Sequence, residues 1–96
     1  MSWEILISET AVETFDAIRA QIRQRLGNKA VDEFEKNTLK VLELIQRSPF
    51  MFKETELDSN IRKGLIKKRS SIFYEVRSNT IVVLFFWDNR QEPVSF

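Results

Sequence analysis

Apolar and polar positions alternate along the chain in two different periods, and the switches between them mark out its elements. Over Trp3 to Ser8, Trp3, Ile5 and Ile7 alternate with Glu4, Leu6 and Ser8, the two-residue period of a strand. From Thr10 the period lengthens. Val12, Phe15, Ile18, Ile22 and Leu26 fall three or four residues apart, which predicts a one-sided helix over 10–26. Thr10 with Glu13 fits a capping box, with Ser8 as a rival cap. Gly27 sits where a left-handed residue would end this helix, and Asn28 can cap a second one. Val31, Phe34, Thr38, Val41, Leu42 and Ile45 form the inner stripe of that second helix, over 29–47. Pro49 stops it, because the residue before proline avoids helical angles. So short a connection folds the two helices into an antiparallel hairpin.

Phe50 to Asn60 predicts a loop whose aromatic start packs back on the domain and whose acidic part stays wet. Three strands follow: Ile61 to Lys68, Ile72 to Arg77 and Thr80 to Trp87. Ser78-Asn79 fits a two-residue turn, since Asn tolerates positive φ. The last strand is apolar on both faces, which marks a central position. The tail from Asp88 to Phe96 contains Pro93 and reads as irregular. The expected fold is α+β in two layers: an N-terminal strand, an antiparallel helical hairpin and three further strands, with the hairpin on one face of an antiparallel sheet. At 96 residues one domain spanning 1–96 is the natural count.

Composition removes several chemistries. The sequence has no Cys and no His, which excludes disulfides and the Ser-His-Asp and Cys-His triads, and argues against zinc. Two glycines, Gly27 and Gly64, make no phosphate-cradling loop. No cofactor and no metal are expected. Glu54, Glu56 and Asp58 read as a solvated loop rather than a metal site. No leader-like N-terminus is expected, and the longest apolar run, Ile81 to Trp87, is too short for a bilayer, so the expectation is a cytoplasmic protein without membrane contact.

The net charge of +1 conceals a local bias. Residues 53–58 sum to −2, whereas Arg62, Lys63, Lys67, Lys68, Arg69 and Arg77 against Glu75 bring residues 61–77 to +5.

The order of elements resembles the RelE/ParE toxins over essentially the whole chain. The most specific stretch is the C-terminal third, "IRKGLIKKRSSIFYEV" and then "NTIVVLFFWDNRQEP". It has a basic strand, a strand carrying Tyr74, a short turn, an apolar strand and Asp88-x-Arg90-Gln91-x-Pro93. The resemblance is closer to the ParE-like branch. It implies the toxin of a type II toxin–antitoxin, plasmid-stabilisation-like system, held inactive in a hetero-oligomer by a cognate antitoxin that is short, acidic and partly disordered. ParE-like members poison DNA gyrase by binding; RelE-like members enter the ribosome and cleave mRNA. Ribonuclease chemistry would fall to Lys67, Arg69, Arg77 and Arg90, with Lys68 as a further phosphate contact. No Tyr or His follows Tyr74, which favours the binding poison over the enzyme. A family member without toxicity is the third reading. The expected antitoxin- or target-binding residues are Arg62, Lys63, Lys67, Lys68, Arg69, Tyr74, Arg77, Trp87 and Arg90, around a partly apolar second sheet face. Each has a plainer role open to it: a solvated strand end for the basic run, a cross-strand ring for Tyr74, core for Trp87, and an ion pair with Asp88 for Arg90.

Overall fold

The computed structural model describes residues 3–56, 58 and 60–90. Its elements run β1 (Glu4–Ile7), α1 (Glu9–Leu26), α2 (Asn28–Arg47), β2 (Ile61–Ile66), β3 (Ser70–Val76) and β4 (Thr80–Asp88). Among the described residues no helix is long and apolar enough to cross a membrane.

One feature of the sheet departs from the expectation. The strand order is β1-β4-β3-β2, with β2–β3 and β3–β4 antiparallel but β1 parallel to β4. The sheet is therefore mixed. The reason lies in the connection: a full helical hairpin separates β1 from the rest, so the chain can return on either heading, and a parallel neighbour needs just such a long crossover.

Ser8, not Thr10, caps α1: its side chain accepts the Ala11 amide at 3.0 Å. Asn28 is already helical, and the cap position of α2 is taken by Gly27, whose φ of +91° is a left-handed-region value that glycine adopts without strain. The Ser78-Asn79 turn forms without positive φ, closed by the Arg77 amide on Thr80 O at 2.8 Å. Among the described residues, the one positive φ outside glycine falls at Lys67, at +56°, in the turn between β2 and β3.

β4 changes phase midway. Ile81 and Val83 are buried, and then Phe86 and Asp88. A bulge causes this: Tyr74 pairs with Val83 while Phe73 pairs with Phe85, so Leu84 is the extra residue. The slip keeps both halves of the strand's inner set facing the helices. The core joins these residues to Ile18, Ile22, Val31, Phe34, Ile45, Ile66, Ile72 and Tyr74. Phe15 stacks on Phe34 at 5.1 Å and meets Phe86 edge-on at 5.2 Å. Ile7 and Val12, by contrast, stay about half exposed, at the rim of an apolar cavity of about 230 Å³ floored by Phe15 and Phe86.

The loop after α2 folds back partly as expected. Phe52 packs on the core above Gly64, where a β-carbon would come within 2.9 Å of its ring, so only glycine fits that strand position. Phe50 stays exposed, touching Trp3 edge-on at 5.8 Å.

Phe34 is buried and stacks on Phe15, which in turn meets Phe86 of the sheet, so Phe34→Ala should lower unfolding free energy by roughly 3–5 kcal/mol in urea titration. A loss under about 1 kcal/mol would place the ring outside the core.

Candidate functional site

The strand headings sort the predicted site residues to two ends of the sheet. β3 begins at the β2–β3 turn, which carries Lys67, Lys68 and Arg69, and ends at the β3–β4 turn, which carries Arg77. Its seven residues set these ends roughly 20 Å apart. Arg90 follows β4 on the Lys67–Arg69 side, since Asp88 pairs with Ser70 and the Asn89 amide bonds Arg69 O at 2.7 Å. Arg77 therefore does not share a site with Lys67, Arg69 and Arg90; it pairs with Glu75 instead.

Three expected binding residues are engaged internally. Arg62 donates to Phe52 O at 2.6 Å and to Glu54 Oε1 at 3.2 Å, and lies 5.0 Å over the Phe50 ring. Its charge clasps the loop to β2. Tyr74, read from the sequence as a binding residue or a half-buried cross-strand ring, is fully buried and donates its hydroxyl to Pro49 O at 2.7 Å. It lies two residues after the core residue Ile72 on β3 and so shares its helix-facing side, where the end of α2 closes over it. Burial pushes its phenol up from 10 to about 12, and the Arg62 charge and the Phe52 amide only partly offset this. Arg90 grips the buried Asp88 carboxylate, with Nη2 on Oδ2 at 2.8 Å and Nε on Oδ1 at 3.1 Å. These bonds hold the Asp88 carboxyl below its usual range against its own burial, and Arg25 at the end of α1 lowers it further.

Lys63 and Trp87 lie on the sheet face away from the helices. Lys63 stands 5.9 Å over the Phe73 ring, which stacks on Phe85 at 4.5 Å. Trp87 is half-buried opposite Ser71. With exposed Leu6 and Leu65, this face is partly apolar. Gln91 and Pro93 of the tail motif lie outside the described residues. Among the described residues, no group of three or more side chains is placed to hold a metal ion.

Lys67, Lys68 and Arg69 remain exposed, and the fold adds cations that the linear sequence did not connect with them. The α1–α2 turn projects over the same end of the sheet, so Arg25 and Lys29 join the basic run. A cleft of about 730 Å³ lies between the two turns, with Lys29, Lys67, Lys68 and Arg69 at its rim and Ile22, Leu26 and Ile66 among its lining. The signal available in the sequence was the pair of basic residues flanking Gly27. Reading it requires knowing which end of the sheet the hairpin overhangs.

The left-handed backbone at Lys67 disfavours any L side chain. Lys67→Gly should therefore unfold at equal or higher denaturant concentration, a gain of up to about 1 kcal/mol; a clear loss would mean that the lysine side chain is itself held. Tyr74 is the sole tyrosine, so its titration can be followed by tyrosinate absorbance. The folded-state midpoint should lie near 12 against 10 for the denatured chain, and stability should fall as pH rises above 10, where the unfolded chain loses its proton first. A folded-state midpoint near 10 would contradict the burial.

No protein-family model matches the chain, and no curated protein matches it. Solved structures do. The chromosomal ParDE TA system of P. aeruginosa superposes with a TM-score of 0.77 at 13% identity, over 91% of this chain and 96% of that one. The toxin–antitoxin complex RelBE2 of Mycobacterium tuberculosis gives 0.62 at 15%, over 92% and 99%. The YoeB dimer of Staphylococcus aureus gives 0.63 at 16%, over 88% and 94%. The fold is that of the RelE/ParE toxin structures, across nearly the full length of each chain.

Proposed function

We propose, from this fold, that the chain is the toxin of a type II toxin–antitoxin pair. It is ParE-like, stops growth by binding a cytoplasmic target such as DNA gyrase, and is silenced in a complex with a short acidic antitoxin. The structural likeness to the ParDE and RelBE2 complexes supports the toxin assignment. The observation that carries the choice of a binding poison over a ribonuclease is Tyr74. Cleaving RNA at a 2′-hydroxyl needs a base and an acid near the scissile phosphate. The sequence has no histidine or cysteine, and its one tyrosine is sealed beneath the end of α2 with its hydroxyl bonded to Pro49 O. The cations named for catalysis also fail to converge, with Arg77 at the far end of the sheet and Arg90 bound to Asp88. Among the predicted site residues, Lys67, Lys68 and Arg69 form an exposed run with no ion-pair partner among the described residues, open to a partner or target.

Induced expression should arrest growth with a DNA-damage response, and co-expression of the adjacent gene product should relieve the arrest. Purified protein should inhibit gyrase supercoiling and leave mRNA intact on programmed ribosomes. Codon-linked mRNA cleavage, lost in Arg69→Ala or Arg90→Ala, would replace this reading with the RelE-like mRNA interferase.

A further inference from the structure

The cleft between the α1–α2 turn and the β2–β3 turn combines two chemistries. Its floor is aliphatic: Ile22 and Ile66 are buried, and Leu26 stands about half exposed at the opening. Its rim carries Lys29 from one turn and Lys67, Lys68 and Arg69 from the other. None of these four side chains has an ion-pair partner among the described residues, whereas Arg19, Arg62, Arg77 and Arg90 are each paired. The three turn cations are consecutive, and the left-handed backbone at Lys67 fixes how the turn presents them.

We propose that this cleft docks an acidic amphipathic peptide segment of a partner protein. Apolar side chains of the segment sit on Leu26, Ile22 and Ile66, and its carboxylates meet Lys29, Lys67, Lys68 and Arg69. The proposal deepens the toxin reading and rests on it only for naming the partner as the antitoxin; the surface chemistry stands apart from it. A nucleic-acid strand fits the cleft less well. Single strands are held by exposed aromatic rings on which bases stack, and the one ring in the lining, Phe34, is buried. Charged rims govern the rate and salt dependence of such docking, while an apolar floor supplies anchoring contacts. The cleft lies on the helix side of the sheet, so the docking surface is not the apolar second face expected from the sequence.

The test uses the full chain, labelled with nitrogen-15. The probe is a synthetic 14-residue peptide of Glu, Leu and Ala with Leu at helical spacing. Amide shifts should concentrate in residues 22–34 and 66–70, and binding should weaken as salt is raised. Lys67→Gly combined with Lys68→Ser, which removes two charges at a turn that tolerates glycine, should weaken binding about tenfold. Leu26→Ser should do the same, and Lys53→Ser, outside the cleft, should change nothing. No shifts at millimolar peptide, shifts centred elsewhere, or equal loss in Lys53→Ser would overturn the proposal. So would a 14-nucleotide single-stranded DNA that occupies the same residues more tightly than the peptide. Growth assays report separately on the toxin reading. If expression proves harmless while the peptide maps to the cleft, the docking site stands and the partner is another acidic protein. If expression is toxic while the peptide maps elsewhere, the docking site falls alone.

Discussion

β4 has a strand neighbour on its outer side for only half its length. β1 pairs with it from Thr80 to Val83 and then turns away into α1. The strand continues to Asp88, and from Leu84 onward its outer backbone groups need other partners, since a buried amide or carbonyl left unbonded costs about 1–3 kcal/mol. The first turns of α1 supply them. The Ser8 amide bonds Val83 O at 3.0 Å, the Ser8 hydroxyl donates to Leu84 O at 2.8 Å, and the Thr14 hydroxyl oxygen accepts the Phe86 amide at 2.9 Å. Ser8 at the same time accepts the Ala11 amide and so starts the helix. One hydroxyl thus begins α1 and ties it to the sheet.

Much of the remaining architecture follows from this placement. With α1 held along the second half of β4, the α1–α2 turn must overhang the end of the sheet where Asp88, Ser70 and the β2–β3 turn lie. That overhang creates the cleft and brings Arg25 and Lys29 toward Lys67–Arg69. The bulge at Leu84 lets Val83 and Phe86 both face the helices, opposite Tyr74 and Ile72, which alternation along β3 places on the inner side. Pro49 and the Arg62 clasp then seal the opposite end of α2.

The helical hairpin was legible because its apolar stripes are long and regular, and Phe34, Ile18, Ile22 and Ile45 are buried as their spacing requires. The direction of β1 was not, because alternation specifies which side of a strand is buried but not its heading. Ser8 outranked Thr10 as the cap because a hydroxyl in a strand-to-helix corner could also serve β4, a contact across 76 residues that no local motif encodes. The basic run at 67–69 was visible in the sequence. The engagement of Arg62, Tyr74 and Arg90 was not, since it depends on a loop clasp, the Pro49 carbonyl beyond α2 and a buried carboxylate. Ile7 and Val12 obey the apolar pattern yet rim an open cavity, because period alone does not reveal where two helices diverge.

The parallel pairing of the first strand with the last also bears on synthesis. As the chain leaves the ribosome, β1 and both helices emerge while the strand that must lie beneath them is still unmade. Partners such as Glu4 and Thr80 lie at opposite ends of the sequence, and contacts of such long range form late. Until Thr80 to Asp88 is released, Phe15 and Phe34 lack Phe86, and the Ser8 hydroxyl has no carbonyl on β4 to meet. A truncated or stalled product therefore displays an apolar hairpin without its floor, a substrate for chaperones and proteases rather than a folded domain. Whatever this fold does in the cell, it can do only once the strand from Thr80 to Asp88 has left the ribosome.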